Sequence, residues 1–128
     1  MIYVDSSVAL AHLLSEQRRP PAALWKEAIV SSRLFEYEVM TSINSLGLAD
    51  AEVAPARIII EGIELLDLTV GILARALQPF PVPVRTLDAL HLATVDYLQT
   101  QGQAVELATY DRRLAAAARA LGFRLVQL

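Results

Sequence analysis

Apolar and polar positions alternate along this chain between a short extended period and a helical one. Ile2-Tyr3-Val4 is a β-branched and aromatic run that predicts a first strand, closed by the polar Asp5-Ser6-Ser7. Those polar residues are good N-caps for an apolar helix over about 8–14. Arg18-Arg19-Pro20-Pro21 reads as a loop, its proline suited to the first turn of a helix running through Trp25. Ile29-Val30-Ser31-Ser32 predicts a second strand. In the longer helix that follows, Phe35, Val39, Ile43 and Leu46 recur at the spacing of a core stripe, with Gly47 near its end.

Pro55 is predicted to open the next helix, with residues 58–63 as its apolar part, and 64–68 to form a short strand. Thr69 then caps a helix to Leu77. Pro79-Phe80-Pro81-Val82-Pro83 cannot form a regular helix or central strand and reads as a stiff loop. Thr86 is predicted to cap a helix in which Leu87, Leu90, Thr94, Tyr97 and Leu98 share one face, ended by Gly102. Residues 105–108 read as a strand, Asp111 as the cap of an alanine-rich helix stopped by Gly122, and 123–126 as a last strand. Short strands alternating with helices imply βαβ units and an α/β class, with a central parallel sheet of four to five short strands and helices on both faces. At 128 residues the chain fits one compact domain spanning 1–128.

Composition narrows the chemistry. There is no cysteine, which removes disulfides, thiolate nucleophiles, iron–sulfur clusters and cysteine zinc sites together. The two histidines, His12 and His91, lie far apart, so a catalytic metal must be held mainly by oxygen, the donor preferred by Mg²⁺ and Mn²⁺. No apolar run reaches the roughly 18 residues of a membrane span, and the N-terminus lacks the pattern of a secretory signal. A soluble, cytoplasmic protein with no membrane partner is expected. The net charge of −3 argues weakly against nucleic acid as a partner. Against that, Lys26 is the one lysine among the basic residues, and arginine suits bidentate phosphate contacts.

The acids carry the sharper signal. In open parallel sheets, ligands bind beyond the carboxyl ends of the strands. Asp5 follows the first predicted strand and Asp111 comes three residues after Ala108. Glu38 sits in the first turns of the helix after 29–32, and Asp88 in the first turn of its own helix. Chain direction predicts all four at one edge of the sheet, each from a different βα junction. Taken singly, Asp5 and Asp111 also read as N-caps, Asp88 as an acid favoured by the helix macrodipole, and Glu38 as an exposed helical glutamate. Thr109 and Ser6 read as hydrogen-bond partners of the carboxylates or as strand-end and cap residues. His91, three residues after Asp88, reads as a packed structural histidine or a residue facing the site. Trp25 and Tyr37 read as core or dimer packing or as base-stacking platforms, and Arg112 and Arg113 as phosphate contacts or solvated charges.

Val4-Asp5-Ser6-Ser7 resembles the opening strand and first metal-binding aspartate of the VapC-type PIN-domain toxins. Ser32-Arg33-Leu34-Phe35-Glu36-Tyr37-Glu38-Val39 is similar to the segment carrying that family's second acid. Glu38 rather than Glu36 takes the role, because the family's acid directly precedes an aliphatic residue. Leu87-Asp88-Ala89-Leu90-His91-Leu92-Ala93 and Thr109-Tyr110-Asp111-Arg112-Arg113-Leu114 match the third and fourth motifs. The resemblance covers essentially the whole chain. It implies a PIN-like three-layer sandwich and a Mg²⁺-dependent endoribonuclease, with Mn²⁺ as substitute, hydrolysing RNA by metal-activated water. Asp5, Glu38, Asp88 and Asp111 are the implied metal-binding and catalytic residues. It further implies a homodimer, a cognate antitoxin that can place a basic side chain in the acidic site, and transfer or ribosomal RNA as substrate.

Other classes fit less well. An aspartyl-nucleophile phosphatase needs a second aspartate where Ser7 stands, and a receiver domain needs a lysine after a late strand, whereas Lys26 comes early. A catalytically silent PIN fold that binds RNA or protein is the remaining alternative. For a working site, crowded carboxylates are expected to raise the pKa of one or more members in the absence of metal.

Overall fold

The structure is a computed structural model that describes residues 1–15 and 17–128; Glu16, in the short segment before Pro20, lies outside the described residues. The strands are β1 (Ile2–Val4), β2 (Ile29–Ser32), β3 (Glu64–Leu66), β4 (Glu106–Ala108) and β5 (Arg124–Leu125). The helices are α1 (Ser6–Leu14), α2 (Leu34–Ser45), α3 (Ala49–Glu61), α4 (Val70–Ala76), α5 (Thr86–Thr100) and α6 (Arg112–Ala120), with a 3₁₀ segment at Ala22–Lys26. All strand pairs are parallel and the order is β3-β2-β1-β4-β5, so β1 lies at the centre. The expected α/β sandwich is observed.

Alternation along β1 divides the core in two. Ile2 and Val4 join a cluster with Val8, Phe35, Val39, Ile43, Ala56 and Ile60, which seats α1, α2 and α3 on one face. Tyr3 points the other way, into a cluster with Val30, Leu92, Val95, Leu107 and Leu114 beneath α5 and α6. Tyr3, Val4, Phe35, Val39 and Leu92 are fully buried. Each such side chain contributes about 1.5–3 kcal/mol relative to exposure.

Five local expectations are corrected. Pro55 lies inside α3 rather than at its start. After α2, Gly47 takes φ 69° and the amides of Gly47 and Leu48 bond back to Asn44 and Ile43, a left-handed helix stop that turns the chain at once into α3. Leu48, Val53, Ala56 and Ile60 then pack on the first core cluster, which outweighs the hydrogen bond that Pro55 cannot donate. Leu46 is 61% exposed, because the apolar stripe of α2 ends at Ile43 and Leu46 sits at the turn. Thr86 is the first residue of α5, with Arg85 at the N-cap and no side-chain capping bond; the Ala89 amide bonds Arg85 O and starts the helix one residue early.

The buried surface of α5 is also wider than the predicted face. Ala89, His91, Leu92, Ala93, Thr94, Val95 and Leu98 are buried while Leu87 and Tyr97 are exposed, since α5 is covered by the sheet and by both α4 and α6. Finally, α5 follows α4 and the proline loop, not a strand, so Asp88 does not belong to a βα junction. Thr69 does cap α4, accepting from the Ile72 amide. Trp25 packs edge-on to His12 and, partly buried, against the first core cluster, whereas Tyr37 is exposed.

Candidate active site

Asp5 stands where β1 ends and α1 begins, at the N-cap position, but its side chain makes no capping bond. It is 5% exposed, and its carboxylate accepts from two hydroxyls instead: Ser7 Oγ to Oδ1 at 2.5 Å and Thr109 Oγ1 to Oδ2 at 2.9 Å. Backbone amides set the direction of both bonds. The Tyr110 amide donates to Ser7 Oγ and the Asp111 amide to Thr109 Oγ1, which drives the two hydroxyl protons onto Asp5. Of the two hydroxyls the sequence suggested, Thr109 is engaged and Ser6 is replaced by Ser7. The β4–α6 loop thus holds the aspartate of β1, its neighbour in the sheet.

Burial carries the Asp5 pKa up to about 6, against the pull of the Ser7 bond and with a further push from the Glu38 charge. A carboxyl with a folded-state pKa above its unfolded value holds its proton more tightly when folded. Its contribution to stability therefore falls as pH rises from about 4 to about 6, by about 3 kcal/mol at the upper end. In EDTA, Asp5→Asn is expected to gain on wild type in melting temperature as pH is raised from 4 to 7. Thermal melts across that range check this; a constant difference shows that Asp5 carries no desolvation cost.

Glu38 lies one residue before the buried Val39, about 100° around α2 from it, and is partly buried. Its Oε1 meets His91 Nε2 of α5 at 2.6 Å. His91 is 2% exposed, and its Nδ1 is 2.7 Å from the hydroxyl of Tyr3. Burial opposes a charge on His91, but the Tyr3 and Glu38 oxygens against its two nitrogens outweigh it and carry its pKa up to about 10. His91 is therefore both buried and aimed at the site, combining the two readings of its position. Asp96, by contrast, turns away to pair with Arg75.

Asp88 is half-buried in the first turn of α5, and desolvation followed by the charge of Asp111 raises its pKa. The Asp111 contribution, second to burial, is the one expected of crowded acids. Asp111 is a true cap: its Oδ1 accepts from the amides of Arg113 and Leu114 at the start of α6. Among the described residues, no three His, Asp or Glu side chains converge closely enough to hold a metal ion. The acids are nonetheless near enough to act on one another: the charge of Glu38 raises the Asp5 pKa and that of Asp111 raises the Asp88 pKa. Their donor chemistry suits a hard divalent cation, and the bonds to His91 and to the α6 amides engage one oxygen each of Glu38 and Asp111.

Comparison with known proteins gives the family. The PIN domain family model matches residues 2–120. Ribonuclease VapC47 of Mycobacterium tuberculosis (strain CDC 1551 / Oshkosh) is 30% identical over 96% of this chain and 93% of its own. Ribonuclease VapC46 of M. tuberculosis (strain ATCC 25618 / H37Rv) is 30% identical over 98% and 95%, and Ribonuclease VapC35 of the same strain is 27% identical over 98% and 96%. On this full-length similarity and the matching fold, the chain belongs to the PIN-domain family, and within it to the VapC type.

Proposed function

We propose that the chain is an endoribonuclease, the toxin of a toxin–antitoxin pair, which hydrolyses RNA phosphodiester bonds with Mg²⁺, or Mn²⁺ in its place, held by Asp5, Glu38, Asp88 and Asp111. The observation that carries this reading is the buried Asp5 carboxylate, fixed by two oriented hydroxyls instead of capping its helix. A cap needs no such cradle, and an anion desolvated with only neutral hydrogen-bond partners gains most from a cation. When bound, the ion supplies Lewis acidity toward the scissile phosphate and a lowered pKa for attacking water. Asp5 and Asp88, both disfavoured as anions by burial, are the members whose ionisation the ion restores.

Arg85 and Arg113 flank Asp88 along a shallow recess that also includes Val82 and Val84. Their guanidinium groups suit the phosphates on either side of a scissile bond. A second groove, lined by Leu10, Leu14, Leu46 and Tyr110, runs between α1 and α2 to Asp111. It suits an apolar antitoxin segment whose basic side chain reaches the acids. The exposed Val70, Leu73, Leu77 and Leu87 beside the proline loop support a homodimer. No described helix is long and apolar enough to cross a membrane, in keeping with a cytoplasmic site of action on transfer or ribosomal RNA.

The separation of the carboxylates favours a second reading, a silent PIN module that binds RNA or a protein partner. Incubation of the antitoxin-free protein with total cellular RNA separates the two. Discrete fragments with Mg²⁺, absent with EDTA, are expected; RNA left intact across Mg²⁺ and Mn²⁺ leaves the binding module.

A further inference from the structure

The Tyr3–His91–Glu38 chain spans both layers of the sandwich. Tyr3 reaches it from the centre of the sheet, His91 from α5 on the second core cluster, and Glu38 from α2 on the first. Tyr3 is completely buried and its oxygen also accepts the Ser32 amide at 3.2 Å, so the phenol cannot swing away without stranding a strand-end amide. The Tyr3 hydroxyl oxygen and His91 Nδ1 lie within hydrogen-bond distance at 2.7 Å, and Nε2 must carry a proton to face a carboxylate at 2.6 Å. Glu38 is thereby tied through Oε1 at the rim of α2. An unbranched glutamate there has three rotatable bonds to solvent.

We propose that His91, held by Tyr3, is a positioning residue that fixes Glu38 by Oε1 and presents Oε2 to the acidic site. This rests on the reading of Glu38 as a metal-binding acid. Such outer partners orient a ligand and raise its affinity for the ion, and their loss typically costs about 10–100-fold in metal affinity. A histidine that only filled the core would act on stability and leave Glu38 unaffected.

The test is Mn²⁺ binding to the full chain, read by calorimetry and by the electron paramagnetic resonance of free Mn²⁺, beside a thermal melt of each variant. His91→Leu is expected to weaken Mn²⁺ binding about 10–100-fold. Tyr3→Phe, which keeps the ring in the core, should weaken it by a smaller factor, and His91→Gln, which returns an amide donor near the Nε2 position, should restore most of the loss. In a Glu38→Gln background, His91→Leu should add nothing further, because the residue it orients is already gone. If Glu38→Gln weakens Mn²⁺ binding but folded His91→Leu and Tyr3→Phe both match wild type, or His91→Leu adds in full to the loss in the Glu38→Gln background, the positioning role is overturned. If Glu38→Gln itself leaves Mn²⁺ binding unchanged, the assignment of Glu38 to the metal fails, and the positioning role with it.

Discussion

Asp5→Asn at saturating Mg²⁺ is expected to lower RNA cleavage by at least about a hundredfold while the protein stays folded. The substitution is nearly isosteric and removes one formal charge. Metal-ion stabilisation of a phosphoryl transition state is worth several kcal/mol, and about 1.4 kcal/mol corresponds to each tenfold in rate, so partial loss already reaches that factor. The same variant gains stability in EDTA at pH 7, because the desolvated charge behind its raised pKa is gone. Activity and stability thus move in opposite directions. A structural aspartate would lose both, and a harmless surface acid would change neither. Initial rates on a cleaved RNA, with circular dichroism and a melt of the same sample, decide the matter. Activity within about threefold of wild type would place the reacting centre away from Asp5.

Much of the frame was legible in the chain. Ile2-Tyr3-Val4 and Ile29–Ser32 have the short β-branched runs of buried parallel strands, and the Phe35/Val39/Ile43 stripe lies in the core as its spacing predicts. What escaped the sequence was decided by tertiary contact. Pro55 signals a helix start, yet Gly47 and the packing of Val53 onto the core begin α3 at Ala49. Helical periodicity in α5 assumes one buried face, and α5 is enclosed on several sides, so its actual burial is nearly continuous over residues 89–95.

The candidate site shows the same division. Four acids could be named because each carries its charge in a recognisable local setting. Their supporting partners could not, since Ser7 and Tyr3 are ordinary helix and strand residues until the fold brings Thr109 to one and His91 to the other. One signal was available for Tyr3: in β1 it is the residue that must face away from Ile2 and Val4, and a phenol sent into a core needs a polar partner. Only His91 gives that partner a link onward to an acid, and nothing in sequence spacing joins positions 3, 38 and 91.

Asp111 poses the remaining choice, because it serves a helix and belongs to the acid set at once. Its Oδ1 accepts two amides at the start of α6, and its charge disfavours ionisation of Asp88. Asparagine is as good an N-cap as aspartate, whereas alanine costs about 1 kcal/mol at that position. Asp111→Asn should therefore keep the metal-free melting temperature at or slightly above that of wild type, since the cap survives and the repulsion with Asp88 is relieved. Asp111→Ala should melt lower. If Asp111 binds the ion, both variants should lose cleavage by at least about a hundredfold, a loss of about 2.7 kcal/mol or more in transition-state stabilisation. The two measurements then disagree, with stability tracking the cap and activity tracking the charge. Should Asp111→Asn retain near wild-type cleavage while Asp111→Ala loses both, Asp111 is a cap alone. The reaction must then be carried by Asp5, Glu38 and Asp88, with α6 fixing Thr109, and through it Asp5, from one side.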